Sequence, residues 1–405
     1  MGVLLATELL WPPVGDVLAP LTYGRWVPLH LDWQLYGWCS LPLVGVLLCR
    51  FGDSSHVLQD RLGRLALWAW SVALLAGGVS WLAGVNSGKL FLEWYGWGRP
   101  LLPTAMTLLW LALSWQFWVN KSRLSRRDQF LQAAILLLLF FVPGAVFWAS
   151  GRGVYPSVNP HSGGATGASL LASTLGIIAI YGLVPLLLNQ PVRSSPDFKI
   201  LQRTYWGAFA CCAVVYAFID HGNATSAGTG QQIGLGVLVA WIPLSWQYFR
   251  AFAWPQAARL WLCAAFAWWT LLVISGFVFF LPGISEHLKF TNGLVAHAHL
   301  SLAGLVSCFN LAILNALEPQ RPLIRGFWAW QIALVCHVVA LVWIGWQEGS
   351  APAGLFLSWG FSQVGYGVRL LAGATMLLVS FRWLMNDRCT ERPDPHIPPL
   401  PSTRP

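Results

Sequence analysis

The sequence predicts an all-α protein, a polytopic bundle of about twelve transmembrane helices, and three observations carry that expectation. Of the 405 residues, 56% are hydrophobic and only 10% charged, and mean hydropathy is +0.59, values that set the chain apart from soluble domains. The apolar residues fall into runs of about 20, the length that crosses a hydrocarbon core as an α-helix. Lys and Arg cluster in the short connections between runs, so the pI of about 9.4 reports orientation in a lipid bilayer. No cationic stretch has the character of a nucleic-acid surface.

Residues 2–10 are apolar but too short to span, and Trp11-Pro12-Pro13 ends them. Without a cationic start they are no signal peptide, and they read as the second half of a helix. Full spans follow at approximately 29–51, 64–84, 101–119, 129–149, 165–188, 201–219, 231–251, 259–281, 291–317, 325–346 and 365–385. Residues 1–385 therefore form one transmembrane domain. Residues 386–405 are Pro-rich and polar and read as a disordered tail.

Alternate connections carry most of the cations, including Arg50, Arg61 and Arg64, then Lys121, Arg123, Arg126 and Arg127. The other side has only Arg25, Lys89, Arg99, Arg152, Lys289 and Arg369. The positive-inside rule places the cation-rich side and the C-terminus in the cytoplasm. The eight cysteines lie mostly within spans, where a thiol behaves as a small hydrophobe, and no disulfide framework is implied.

The tenth span opens FTNGLVAHAHLSLAG, residues 290–304. A histidine inside a membrane is costly and marks a functional site by default. His297 and His299 are two residues apart, about 200° around a helix at about 100° per residue. They leave on nearly opposite sides and cannot chelate one ion, which needs the spacing of HExxH. Either each hydrogen-bonds to a neighbouring helix, or each holds a separate large cofactor such as a heme. His30, in the first turn of the second span, lies on the same side of the membrane. It can close a six-coordinate heme with one member of the pair, while the other holds a second heme with an open position. No CxxCH is present, so such hemes are b-type and non-covalent.

GRWVPLH (24–30) and VAHAH (295–299), with weaker matches at ATELLWPP (6–13), SGKLFLEW (87–94), Phe327-Trp328 through Gln347, and VRLLAG (368–373), run nearly the length of the chain. On these segments the chain resembles the catalytic subunit, subunit I, of cbb-type cytochrome c oxidases, the C family of the heme-copper oxidases. The resemblance implies that His30 and His299 are the axial ligands of a low-spin heme b and His297 the axial ligand of a high-spin heme. Arg25 is then placed to meet heme propionates, since a guanidinium suits paired carboxylates. It also implies a bacterial inner membrane, hemes toward the periplasmic side, other oxidase subunits, and a c-type cytochrome subunit or soluble cytochrome c as electron donor. The short first helix reflects either a start codon assigned too late or a shortened helix.

The chain departs from the family at the copper site. Gly163 stands where the sixth-helix histidine belongs, and Asp220 replaces the first of the seventh-helix pair, leaving His221. Tyr216 lies near the position of the family's tyrosine, although its spacing differs. One histidine does not make a copper site. His161 could join Asp220 and His221 around iron or zinc; the plainer reading is a loop histidine beside a hydrogen-bonded Asp220–His221 pair. Elsewhere, His337 is expected to hydrogen-bond within the bundle, and His56, His287 and His396 lie in loops or tail. Asp32 faces outer water or a neighbouring helix.

Three functions follow as expectations. The first is a diheme b subunit of a respiratory electron-transfer complex that has lost most copper ligands. The second is an active terminal oxidase, or a nitric oxide reductase-like enzyme, with a rearranged metal site. The third is a twelve-helix transporter, suggested by QDRLGRL (59–65), but His56 stands where that motif needs glycine and HAH is left without a use.

Overall fold

A computed structural model describes residues 1–52, 57–193, 197–319, 322–351 and 359–388. His56, His396 and most of the expected tail lie outside these residues. Among the described residues β-structure is limited to two isolated bridges, Val158 with Ala165 and Val192 with Phe252. That is the expected outcome for chains in lipid, where a helix satisfies its own backbone groups.

The helices are α1 (Gly2–Leu10), α2 (Pro13–Val17), α3 (Tyr23–Asp32), α4 (Leu41–Phe51), α5 (Val57–Leu82), α6 (Leu101–Asn120), α7 (Arg126–Ala149), α8 (Gly167–Leu187) and α9 (Phe198–Phe218). They continue with α10 (Thr229–Gly236), α11 (Trp241–Arg250), α12 (Gln256–Phe280), α13 (Ile284–Leu288), α14 (Asn292–His299), α15 (Ser307–Leu317), α16 (Phe327–Ser350) and α17 (Trp359–Arg388). Each of the twelve expected segments is helical, and among the described residues eight continuous helices are long and apolar enough to cross a membrane. Helices α6 and α9 have the length but are less apolar. The eighth expected span is broken into α10 and α11, joined through a short 3₁₀ stretch, Val237–Ala240.

Two spans hide an irregularity that periodicity did not reveal. Between α3 and α4 the chain is π-helical over Trp33–Cys39, and between α14 and α15 over Leu300–Val306. One π segment follows directly on His299 and the other begins three residues after His30, and such segments are concentrated at functional sites. A serine hydroxyl beyond each one bonds five residues back, Ser40 to the Leu35 carbonyl at 2.8 Å and Ser307 to the Leu302 carbonyl at 2.7 Å. The two segments are also tied together: the Trp38 indole donates to Ser307 Oγ at 2.8 Å, and Asn310 Nδ2 donates to the Trp38 carbonyl at 2.6 Å.

Caps and close approaches fix the other helices around this pair. Ser125 caps α7 through Asp128 N, and Asp128 forms an ion pair with Arg50 at the end of α4. Thr291 caps α14 by accepting from Gly293 N at 3.1 Å. There α16 comes so near that a Cβ on Gly345 would stand 2.0 Å from Gly293 N. The adjoining carboxylate of Glu348 accepts from Asn292 N and Nδ2, both at 2.6 Å, an anion at a helix N-terminus.

Candidate functional site

The three histidines of the sequence argument stand on two neighbouring spans, and the HAH pair diverges as the helical geometry requires. His297 turns toward α12, where its Nδ1 lies 3.0 Å from the Ser275 hydroxyl and Phe279 sits 5.8 Å away, centroid to centroid. Gly276 leaves room for the ring: a Cβ there would come within 3.1 Å of Cε1. His299 turns the other way, toward α16, with Nδ1 2.8 Å from the Val295 carbonyl. In both cases Nδ1 is engaged and Nε2 is the nitrogen available to a ligand, the arrangement by which an outer-shell hydrogen bond orients a metal-binding imidazole.

His30, on α3, is close enough to His299 to interact with it electrostatically, and Arg369 of α17 belongs to the same group. Helix α1 covers the His30 ring; a Cβ on Gly2 would lie 3.3 Å from its Cε1. The short first helix is therefore a packed part of the site. Imidazoles on separate helices, with one facing away from the others, are the donor type that a b-type heme would take.

Two other groups stand beside these histidines. His337 is 5% exposed and its ring centroid is 4.6 Å from that of His299. Neither ring nitrogen meets full hydrogen-bond geometry, and the expected bond within the bundle is reduced to an approach to the Arg369 backbone. Its position follows from the Gly293–Gly345 contact. Six residues inward along α14 reach His299, about 9 Å, and eight back along antiparallel α16 reach His337, about 12 Å, so both come to similar depth. Arg369, 9% exposed, reaches Asn292 Oδ1 at 3.4 Å. The VRLLAG segment was the available signal for it.

Arg25 donates from Nη1 to the Leu82 carbonyl at 2.6 Å and lies against Gly84. It thereby satisfies a carbonyl at the end of α5, as cations at helix C-termini do. Asp32 faces neither water nor a partner. It is fully buried, and the nearest donors, the Trp94 indole and the Glu93 backbone amide, fall outside hydrogen-bond geometry.

The expected third metal group is not assembled: among the described residues no three His, Cys, Asp or Glu side chains could hold a metal ion together. Asp220 is exposed and its Oδ1 accepts from Gly222 N at 2.8 Å, closing a local turn. His161 is exposed on a loop braced by Asn159 Oδ1, which accepts from the His161 amide. The Asp220–His221 hydrogen bond of the plainer reading is also absent; His221 instead packs edge-on against Tyr216, with centroids 4.6 Å apart.

Fold and site together define a multi-pass, all-helical membrane protein with imidazoles gathered inside the bundle. No family model matches the chain. The sequence is 20% identical over 424 residues to the cbb3-type cytochrome c oxidase subunit CcoN1 of Stutzerimonas stutzeri, an alignment covering 92% of this chain and 87% of that one. The chain is a distant, diverged homologue of that subunit.

Proposed function

We propose that this subunit holds two b-type hemes and relays electrons through the outer half of a bacterial inner membrane, without a copper centre of the family kind. The observation that supports the reading is the divergence of two imidazoles from one helix, His297 toward Ser275 of α12 and His299 toward His337 of α16, with His30 on a neighbouring span. Bound there, the hemes supply one-electron carriers. The chain supplies the rest: His30 and His299 hold one iron, His297 holds the other, and the Val295 carbonyl and Ser275 hydroxyl orient the ligands. Arg369 and Arg25 are the cations placed to meet propionates. The donor is a c-type cytochrome, since the chain has no covalent heme site of its own.

Loss of copper is supported at two positions. Gly163, in place of the sixth-helix histidine, has φ +65°, which disfavours a side chain, and a Cβ there would stand 3.2 Å from the Phe290 ring. Asp220 is used by its own turn. The test is a pyridine hemochrome assay, metal analysis and oxygen uptake on purified protein. Two hemes b per chain, no stoichiometric copper and no oxygen consumption are expected; copper with oxygen uptake would overturn the reading. The Tyr216–His221 contact favours a second reading, a terminal oxidase or nitric oxide reductase-like enzyme with a rearranged site. Turnover of either gas that falls on His221→Ala would establish it.

A further inference from the structure

His337 is a buried imidazole with no well-formed hydrogen bond, its nitrogens approaching only the Arg369 backbone, and its ring stands 4.6 Å from His299 at an interplanar angle of 48°. An unpaired polar group in the interior is costly. Phenylalanine or leucine would fill the same space at no such cost, so packing alone does not account for a histidine. The His299 ring is fixed at one point, where Nδ1 meets the Val295 carbonyl. His337 is the aromatic side chain packed against that ring.

We propose that His337 is a positioning residue for the iron ligand His299, acting through the polarity of an imidazole packed against the ligand ring and not through bulk. The proposal rests on the assignment of a low-spin heme to His299. Partners of a ligating imidazole set its orientation and donor strength, and axial ligation with its hydrogen bonding is among the levers that tune a heme. His337 comes from α16, which no ligand occupies, so the Gly293–Gly345 contact couples a third span to the electronic state of the iron.

The test compares wild type, His337→Phe, His337→Leu and His337→Gln as purified, heme-loaded membrane protein. The readouts are heme content, the low-spin ferric electron paramagnetic resonance signal and the midpoint potential. Phe and Leu are expected to retain heme but shift both g-values and potential, with Gln returning them toward wild type. A Phe variant with wild-type g-values and potential would overturn the proposal, because His337 would then be filling space. If Phe fails to assemble, Leu and Gln decide: different signals support the proposal and identical ones overturn it. Absence of heme from the wild type would instead remove the underlying heme assignment, and the proposal with it.

Discussion

The contact between α14 and α16 gives the sharpest prediction. Replacing Gly345 by Ala places a Cβ 2.0 Å from Gly293 N, 2.7 Å from its Cα and 2.8 Å from the Asn292 carbonyl carbon. All three are backbone atoms, so no side chain can rotate away. An acceptable approach begins near 3.4 Å, and 3.4 less 2.0 leaves about 1.4 Å to be found by separating the helices. Overpacking of this kind costs about 1–3 kcal/mol. The displacement also pulls Asn292 from Glu348 and moves His299 relative to its neighbours. Gly345→Ala should lower the thermal midpoint in detergent, with the equilibrium constant for unfolding raised roughly tenfold per about 1.4 kcal/mol lost. It should also perturb the low-spin heme spectrum. Gly367→Ala on α17, where a Cβ meets nothing within 4 Å, is the control. A Gly345→Ala protein with unchanged midpoint and spectrum would refute the reasoning.

Other substitutions separate the roles of the remaining groups. His30→Ala and His299→Ala should each abolish the low-spin signal, whereas His297→Ala should remove the high-spin heme and spare the low-spin one; identical spectra for all three would contradict the ligand assignment. Asp32→Asn should raise the thermal midpoint, because a buried carboxyl without partners is replaced by a neutral group of the same shape; a marked drop would show that the carboxylate has a partner. Burial alone pushes the Lys289 ammonium below its ordinary 10.5. Between its lowered value and 10.5 the unfolded chain binds more protons, so stability should rise with pH in that window. Lys289→Met should flatten that slope in pH-dependent thermal melts. Breaking the Arg50–Asp128 pair, whose carboxylate is 33% exposed, should cost no more than about 1 kcal/mol and leave the heme spectrum unchanged.

Much of the bundle was readable in advance because membrane spans are encoded locally. Run length and loop cations locate helices without knowledge of their neighbours. The divergence of His297 and His299 is equally local, a property of two residues on one α-helix. The π segments escaped because a sequence periodic enough for a helix does not reveal which carbonyl each amide will choose. Ser40 and Ser307 show the choice only once their bonds to Leu35 and Leu302 are seen. His337 was expected to hydrogen-bond and only approaches the Arg369 backbone, and Asp32, expected near water or a neighbouring helix, is fully buried beside Glu93 and Trp94.

The residues alone determined that the chain lives in a bilayer, roughly where it crosses, and that the HAH imidazoles point apart. Hydrophobic length and helical angle need no partner. Tertiary packing decided which helices those imidazoles meet. His30 comes beside His299 because the π segments of their spans are bonded together through Trp38, Ser307 and Asn310. His337 joins them because two glycines, 52 residues apart in the chain, let α14 and α16 touch backbone to backbone. Contacts between residues so distant in sequence leave no periodic signal, and only the folded bundle shows them.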